Sequence, residues 1–125
     1  MYASLEIETV VAESRRSVAP ERWADVAATH VLWGMRARVD NLVDLRPTRN
    51  RQAVGLPVDF DDAVSRESTQ AIGEAAYYVR YKGMLVPSAA RPGGINFIVF
   101  PDNLESTDFL ELNPGEPQRL AEVLA

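Results

Sequence analysis

The order of strand and helix patterns along the chain constrains the fold more than any other feature. The predicted strands are Met1–Leu5, His30–Asp40, Leu42–Leu45, Met84–Val86, Asn96–Phe100 and Asp108–Leu112. The predicted helices are Glu6–Arg16, Pro47–Leu56, Ser65–Tyr81 and Pro117–Leu124. A regular alternation of strand and helix would indicate a parallel doubly wound sheet. Because the two types mix irregularly here, we expect an α+β fold with a small mixed or antiparallel sheet and flanking helices.

Two of these segments carry the clearest periodicity. Apolar residues alternate with polar ones over His30–Asp40, which is typical of a half-buried strand and predicts that Trp33 packs in the core. In the helix Ser65–Tyr81, apolar residues such as Ala76 recur at helical spacing. Gly83 follows this helix and is predicted to end it, because glycine readily adopts the left-handed conformation of a helix terminus.

Length and composition set the broad class. A chain of 125 residues with 46% apolar residues is the size of one globular domain, and we expect a single domain over 1–125. The net charge of −5 argues against direct nucleic-acid binding. One histidine and no cysteine argue against a bound metal and against disulfides. No apolar run is long enough to span a membrane, and no signal peptide is visible, so we expect a cytoplasmic protein.

The loop between the strands Met84–Val86 and Asn96–Phe100 is the first candidate for chemistry. It contains Ser88, Arg91 and two adjacent glycines, which let a ligand approach the backbone closely. A hydroxyl and a planar cation in such a loop can bind a phosphate or a ribose. We infer from this chemistry that Arg91 contacts a pyrophosphate. The alternative is a plain surface connection with no ligand.

Three residues outside this loop are also candidates. Tyr2 lies in the first strand, Glu13 lies on the flank of the first helix, and Asn96 begins a later strand. The alternatives are a frayed chain end for Tyr2, a solvated acid for Glu13 and an ordinary turn residue for Asn96.

Several segments of the chain resemble the RES domain family. They are Tyr2–Glu13, Val43–Leu45, Thr69–Ala76, Lys82–Ser88 and Gly94–Phe100. The resemblance implies a fold similar to that of ADP-ribosyltransferases. It also implies an enzyme that consumes NAD as an NAD glycohydrolase or phosphorylase, and a bacterial toxin that an antitoxin protein neutralises.

The resemblance also implies roles for individual residues. Glu13 matches the family's acidic residue, Tyr2 matches an aromatic wall, and Ser88 and Asn96 match polar contacts to the ligand. We therefore predict Glu13 and Ser88 as catalytic residues, and Tyr2, Asn96 and Arg91 as NAD-binding residues. NAD is then a substrate, with water or phosphate as the acceptor, and no metal takes part.

One departure from the family pattern changes the expected activity. The family carries an arginine and a further tyrosine upstream of the segment with which this chain begins, and neither can be placed here. We therefore expect a domain that lacks the family's N-terminal segment and whose NAD binding is weakened. An exposed sheet edge would then favour a homodimer. The alternative function is a non-catalytic RES-like interaction module, or a remnant, that binds a protein partner.

Overall fold

A mixed four-stranded sheet forms the centre of the fold. The structure, a computed structural model, describes residues 1–56 and 62–124. The strands of the sheet are β1 (Tyr2–Ser4), β4 (Leu42–Asp44), β5 (Gly83–Pro87) and β6 (Ile95–Val99). Their order is β1-β6-β5-β4, in which β5 runs parallel to β4 and the other neighbours are antiparallel. Two-stranded ribbons pair β2 (Val31–Leu32) with β8 (Gln118–Arg119), and β3 (Met35–Arg38) with β7 (Phe109–Leu112).

Helices flank this sheet. They are α1 (Ile7–Arg16), α2 (Trp23–Thr29), α3 (Thr48–Ala53), α4 (Asp62–Tyr78) and α5 (Leu120–Val123), with single 3₁₀ turns at Pro20–Arg22 and Pro101–Asn103. The predicted α+β class, with a mixed sheet and flanking helices, is confirmed. In the part of the chain that the structure describes, no helix is both long and apolar enough to cross a membrane.

The main core lies between α4 and the centre of the sheet. Its buried members are Leu45, Leu56, Ala76, Met84 and Val86. Four partly buried apolar residues pack against them, namely Val43, Ile72, Ile98 and Phe100. Strand β5 supplies Met84 and Val86 to this core, since residues two positions apart in a strand point to the same face of the sheet.

A buried cation links the β3–β7 ribbon to the sheet. Lys82 precedes β5 and is only 5% exposed. Its ammonium group lies 2.9 Å from a carboxylate oxygen of Asp108, just before β7, and also pairs with Asp40, just after β3. A hydrogen bond from the backbone of Glu105, together with Lys82, holds the pKa of Asp108 below its usual range. The ribbon is therefore fixed to the sheet by paired charges.

The predicted strand His30–Asp40 is wrong as a single strand. It divides into β2 and β3, which pair with different partners on either side of Gly34. The backbone oxygen of Gly34 accepts a hydrogen bond from the backbone amide of Asn113 at 2.9 Å, which fixes the position of the segment between the two strands. The ribbons bury neither face fully, and Trp33 is 52% exposed instead of lying in the core.

The predicted end of α4 is also wrong. The helix ends at Tyr78, and Arg80, with φ of 73°, adopts the left-handed conformation that was expected of glycine. The amide nitrogen of Tyr81 donates to the carbonyl of Ala76, which closes the terminus. The side chain of Asn103 also donates to the backbone carbonyls of Tyr77 and Tyr81, at 2.9 and 2.7 Å. Gly83 lies in β5 instead.

Candidate active site

Strands β1 and β6 bring two polar side chains together on one face of the sheet. Ser4 lies directly opposite Asn96 in the antiparallel register, so their side chains point to the same face. The hydroxyl of Ser4 donates to Oδ1 of Asn96 at 2.6 Å. This bond fixes the orientation of the Asn96 amide. Because Oδ1 faces Ser4, the donor group Nδ2 is turned toward Glu13.

The carboxylate of Glu13 is the centre of the hydrogen-bond network on this face. Its Oε1 accepts from Ser88 Oγ at 2.7 Å and from Asn96 Nδ2 at 3.2 Å. Its Oε2 accepts from Arg16 at 3.0 Å and from the Tyr2 hydroxyl at 3.3 Å. The side chain is only 12% exposed. Residues from β1, α1, β6 and the loop after β5 therefore converge on one acid.

These contacts set the charge of Glu13 and Tyr2. Burial alone would raise the pKa of Glu13, but the hydrogen bonds from Ser88 and Asn96, with smaller contributions from Arg16 and Tyr2, outweigh it and lower the pKa. Partial burial and the nearby Glu13 charge raise the pKa of Tyr2 to about 12. At neutral pH the acid is thus ionised and the phenol keeps its proton.

The loop after β5 is closed by hydrogen bonds from its own backbone and packs closely against α1. Ser88 is buried, and its Oγ accepts from the amides of Ala90 and Arg91 at 3.1 and 3.2 Å. The hydroxyl proton is therefore left for Glu13. Gly94 approaches so closely that a Cβ there would overlap Oγ1 of Thr9, which is fully buried on α1. This close approach explains one of the paired glycines in the loop.

A cavity of about 630 Å³ opens beside Glu13. Its lining residues are Tyr2, Glu13, Arg16, Thr69, Gln70, Gly73, Glu74, Tyr77, Tyr78, Met84, Val86, Pro87, Ala89, Asn96, Ile98 and Phe100. Tyr77 packs edge-on against Phe100 with ring centroids 5.9 Å apart. An apolar and aromatic wall with a few convergent polar groups, at this size, is typical of a small-molecule site.

The predicted site residues have different places around this cavity. Tyr2, Glu13 and Asn96 line it. Ser88 does not belong to the lining, but its hydroxyl donates to Glu13. Arg91 does not belong to the lining. Its guanidinium lies 3.3 Å from both Glu6 and Thr9, where it ties the loop to α1.

Comparisons with known proteins agree with this arrangement of elements. The model of the RES domain family matches residues 1–118. The chain belongs to the RES domain family. This RES domain is 31% identical over 86 residues to the protein named NAD(+) phosphorylase MbcT, from Mycobacterium tuberculosis and Mycobacterium bovis. The match covers 63% of this chain and 45% of MbcT, so it spans less than half the length of that relative.

A solved structure shares the fold of this RES domain. It is the crystal structure of the M. tuberculosis MbcT–MbcA toxin–antitoxin complex, which matches with a TM-score of 0.71 and 22% sequence identity. The similarity covers 99% of this chain and 68% of the matched chain. The RES fold implied by the sequence resemblance is confirmed.

Sequence reasoning missed the contribution of α4 to the cavity of this RES domain. Gly73, Tyr77 and Tyr78 line the cavity from this helix, and Arg16 lines it from α1. The one sequence feature that could have indicated this role of α4 is Gly73, because a glycine inside a helix often marks a position of close packing or of function. A Cβ at Gly73 would have the Met84 sulfur as its nearest neighbour, at 3.8 Å, so the space itself does not require glycine.

Proposed function

We propose that this RES domain consumes NAD by breaking the bond between nicotinamide and the adjoining ribose. The observation that carries the proposal is the Glu13 carboxylate, which four donors hold in the wall of the cavity. As the bond breaks, nicotinamide leaves as a neutral molecule with the electron pair, and positive charge develops on the ribose carbon. A fixed negative charge beside that carbon stabilises the transition state more than the ground state.

The neighbours of Glu13 act mainly through it in this proposal. Ser88 and Asn96 hold Oε1 in place and keep the carboxylate ionised, because both donate to its charged form. Tyr2 donates to Oε2 and lines the cavity, where its ring offers a face to a flat heterocycle of NAD. Glu13 is therefore the residue that meets the reacting ribose.

The acceptor of the ribosyl group is phosphate or water. Attack by phosphate gives ADP-ribose with a phosphate on the ribose carbon that carried nicotinamide, whereas attack by water gives ADP-ribose. The name of the relative MbcT, NAD(+) phosphorylase, supports phosphate. We also propose a toxin role with an antitoxin protein as partner, which the toxin–antitoxin complex of the structural neighbour supports.

The direct test is an NAD-consumption assay on the purified chain. NAD is incubated with the protein in phosphate buffer and in phosphate-free buffer, and released nicotinamide and the ribosyl product are separated chromatographically. We expect nicotinamide release, with the phosphorylated product in phosphate buffer. If high protein concentrations release no nicotinamide in either buffer, the enzyme proposal is wrong and the protein-binding module becomes the better interpretation.

The lowered pKa of Glu13 predicts the pH dependence of this activity. Because the acid must be ionised, kcat/KM should stay level as the pH falls and decline only below the pH at which an ordinary glutamic acid protonates. In Ser88→Ala, one hydrogen bond to the charged form is lost while the burial remains. The pKa of Glu13 should then rise, and the acid limb of the profile should move to higher pH.

A matched control for this shift is Ser17→Ala. Ser17 is exposed just after α1, and its hydroxyl donates to the backbone oxygen of Ser14 and not to the carboxylate of Glu13. Its profile should coincide with that of the unchanged protein. An acid limb that stays in place in Ser88→Ala would contradict the assigned contact between Ser88 and Glu13.

A further inference from the structure

The charged residues that line the cavity indicate which side chain binds the anionic part of the ligand. Among the described residues of the lining, the carboxylates are Glu13 and Glu74, and the cation is Arg16. A ligand that carries phosphate groups is repelled by two carboxylates unless a cation faces it. We propose that Arg16 is the phosphate-binding residue of this cavity, an inference that rests on the proposed NAD-consuming function.

The position of Arg16 suits this role. It lies one helical turn after Glu13 on α1, and its side chain is 31% exposed. One of its terminal nitrogens lies 3.0 Å from Glu13 Oε2. A guanidinium is a planar cation with N–H donors in a fork, which matches the geometry of phosphate oxygens. A phosphate bound there lies next to the carboxylate at which the ribose reacts.

Two other arginines near α1, Arg15 and Arg91, lie outside the cavity lining. Arg15 lies over the ring of Trp23, with its guanidinium carbon 4.8 Å from the ring centroid. Arg91 contacts Glu6 and Thr9. Arg16 therefore takes the phosphate contact that the sequence suggested for Arg91.

The phosphate has two possible sources, which share the same chemistry. One is the diphosphate of NAD, which Arg16 would hold while the ribose lies at Glu13. The other is inorganic phosphate as acceptor. In that case a phosphate oxygen bonds to the ribose carbon as the bond to nicotinamide breaks, nicotinamide leaves neutral with the electron pair, and the proton of the phosphate passes to solvent.

Steady-state kinetics of Arg16→Gln separate these sources. Nicotinamide release is measured with NAD and phosphate varied independently, beside Arg15→Gln as the matched control. We expect a KM at least tenfold higher for one ligand, since a charge-assisted bidentate contact is lost. A higher KM for phosphate with more ADP-ribose among the products indicates the acceptor. A higher KM for NAD at every phosphate concentration indicates the diphosphate.

A role for Arg16 in holding Glu13 alone gives a different result. In that case kcat falls, the acid limb of the pH profile moves to higher pH, and both KM values stay unchanged, which would overturn the proposal. Arg16→Lys keeps the charge and should restore part of the affinity, which guards against misfolding of Arg16→Gln. Equal KM values in the glutamine and lysine variants would also overturn it.

Binding without turnover distinguishes failure of this inference from failure of the proposed function. Calorimetric titrations use inorganic phosphate and ADP-ribose as separate probes on the unchanged chain and on Arg16→Gln. We expect at least tenfold weaker binding of one probe to the variant, even if the unchanged chain releases no nicotinamide. Identical binding of both probes to the two proteins, or no binding to either, contradicts the phosphate site.

Discussion

Replacing Glu13 with glutamine is expected to slow nicotinamide release by about 100- to 1,000-fold, the loss typical when one electrostatic contact to the transition state is removed. Glutamine has nearly the same shape as glutamate, so the cavity should keep its form. It carries no charge to stabilise the ribose as nicotinamide leaves. The effect should lie mostly in kcat, because the lost interaction strengthens in the transition state.

Glu8→Gln is the matched control for this prediction. Glu8 lies on the same helix and is exposed in the first turn, outside the cavity lining. Its variant loses the same charge from the protein as a whole, so it reports any general electrostatic effect. We expect its rate to match that of the unchanged chain. Equal activity of Glu13→Gln and Glu8→Gln would rule out the proposed role of Glu13.

Replacing Gly83 with alanine is expected to lower the free energy of unfolding by about 3 kcal/mol, at the upper end of the range for overpacking. Gly83 lies opposite Val99 where β5 pairs with β6. A Cβ there would overlap the backbone oxygen of Ile98 and crowd Leu42 of β4, with Cδ2 at 3.2 Å. Backbone atoms of a paired strand cannot move aside cheaply, so the pairing itself must loosen.

Gly73→Ala tests the same change where there is room for it. In α4 the added methyl would meet the Met84 sulfur at 3.8 Å, an ordinary contact distance. Because alanine is favoured over glycine inside a helix, we expect a gain of up to about 1 kcal/mol. Urea unfolding followed by circular dichroism measures both variants. Equal transition midpoints for Gly83→Ala and the unchanged chain would contradict the described β5–β6 pairing.

Local patterns in the sequence were enough to predict most elements and their class. Strands β1, β5, β6 and β7 and helix α1 lie within a residue or two of their predicted bounds, because short apolar runs and charges at helix ends are local signals. The prediction of one strand over His30–Asp40 was wrong, because its alternation looks the same whether the segment forms one strand or divides between two ribbons. Pairing partners are distant in sequence, and no local signal specifies them.

The candidate site illustrates the same limit. Residue types and the family resemblance indicated Glu13, Ser88, Asn96 and Tyr2. The structure gathers the other three around the carboxylate of Glu13. Arg91, in contrast, lies outside the cavity lining. An arginine beside two glycines looks available for a phosphate, but its partners on α1 and just before it lie far away in the sequence. The tyrosines of α4 were missed because a cavity wall depends on how whole elements pack.

The central claim is that the cavity beside Glu13 holds NAD with its reacting ribose at this residue. The most direct measurement is a crystal structure of Glu13→Gln soaked with NAD, since the slowed reaction leaves the substrate intact. We predict density for NAD in the cavity, with the ribose carbon that bears nicotinamide against the side chain at position 13. An empty cavity at saturating NAD, or NAD bound with that ribose elsewhere, would contradict the account.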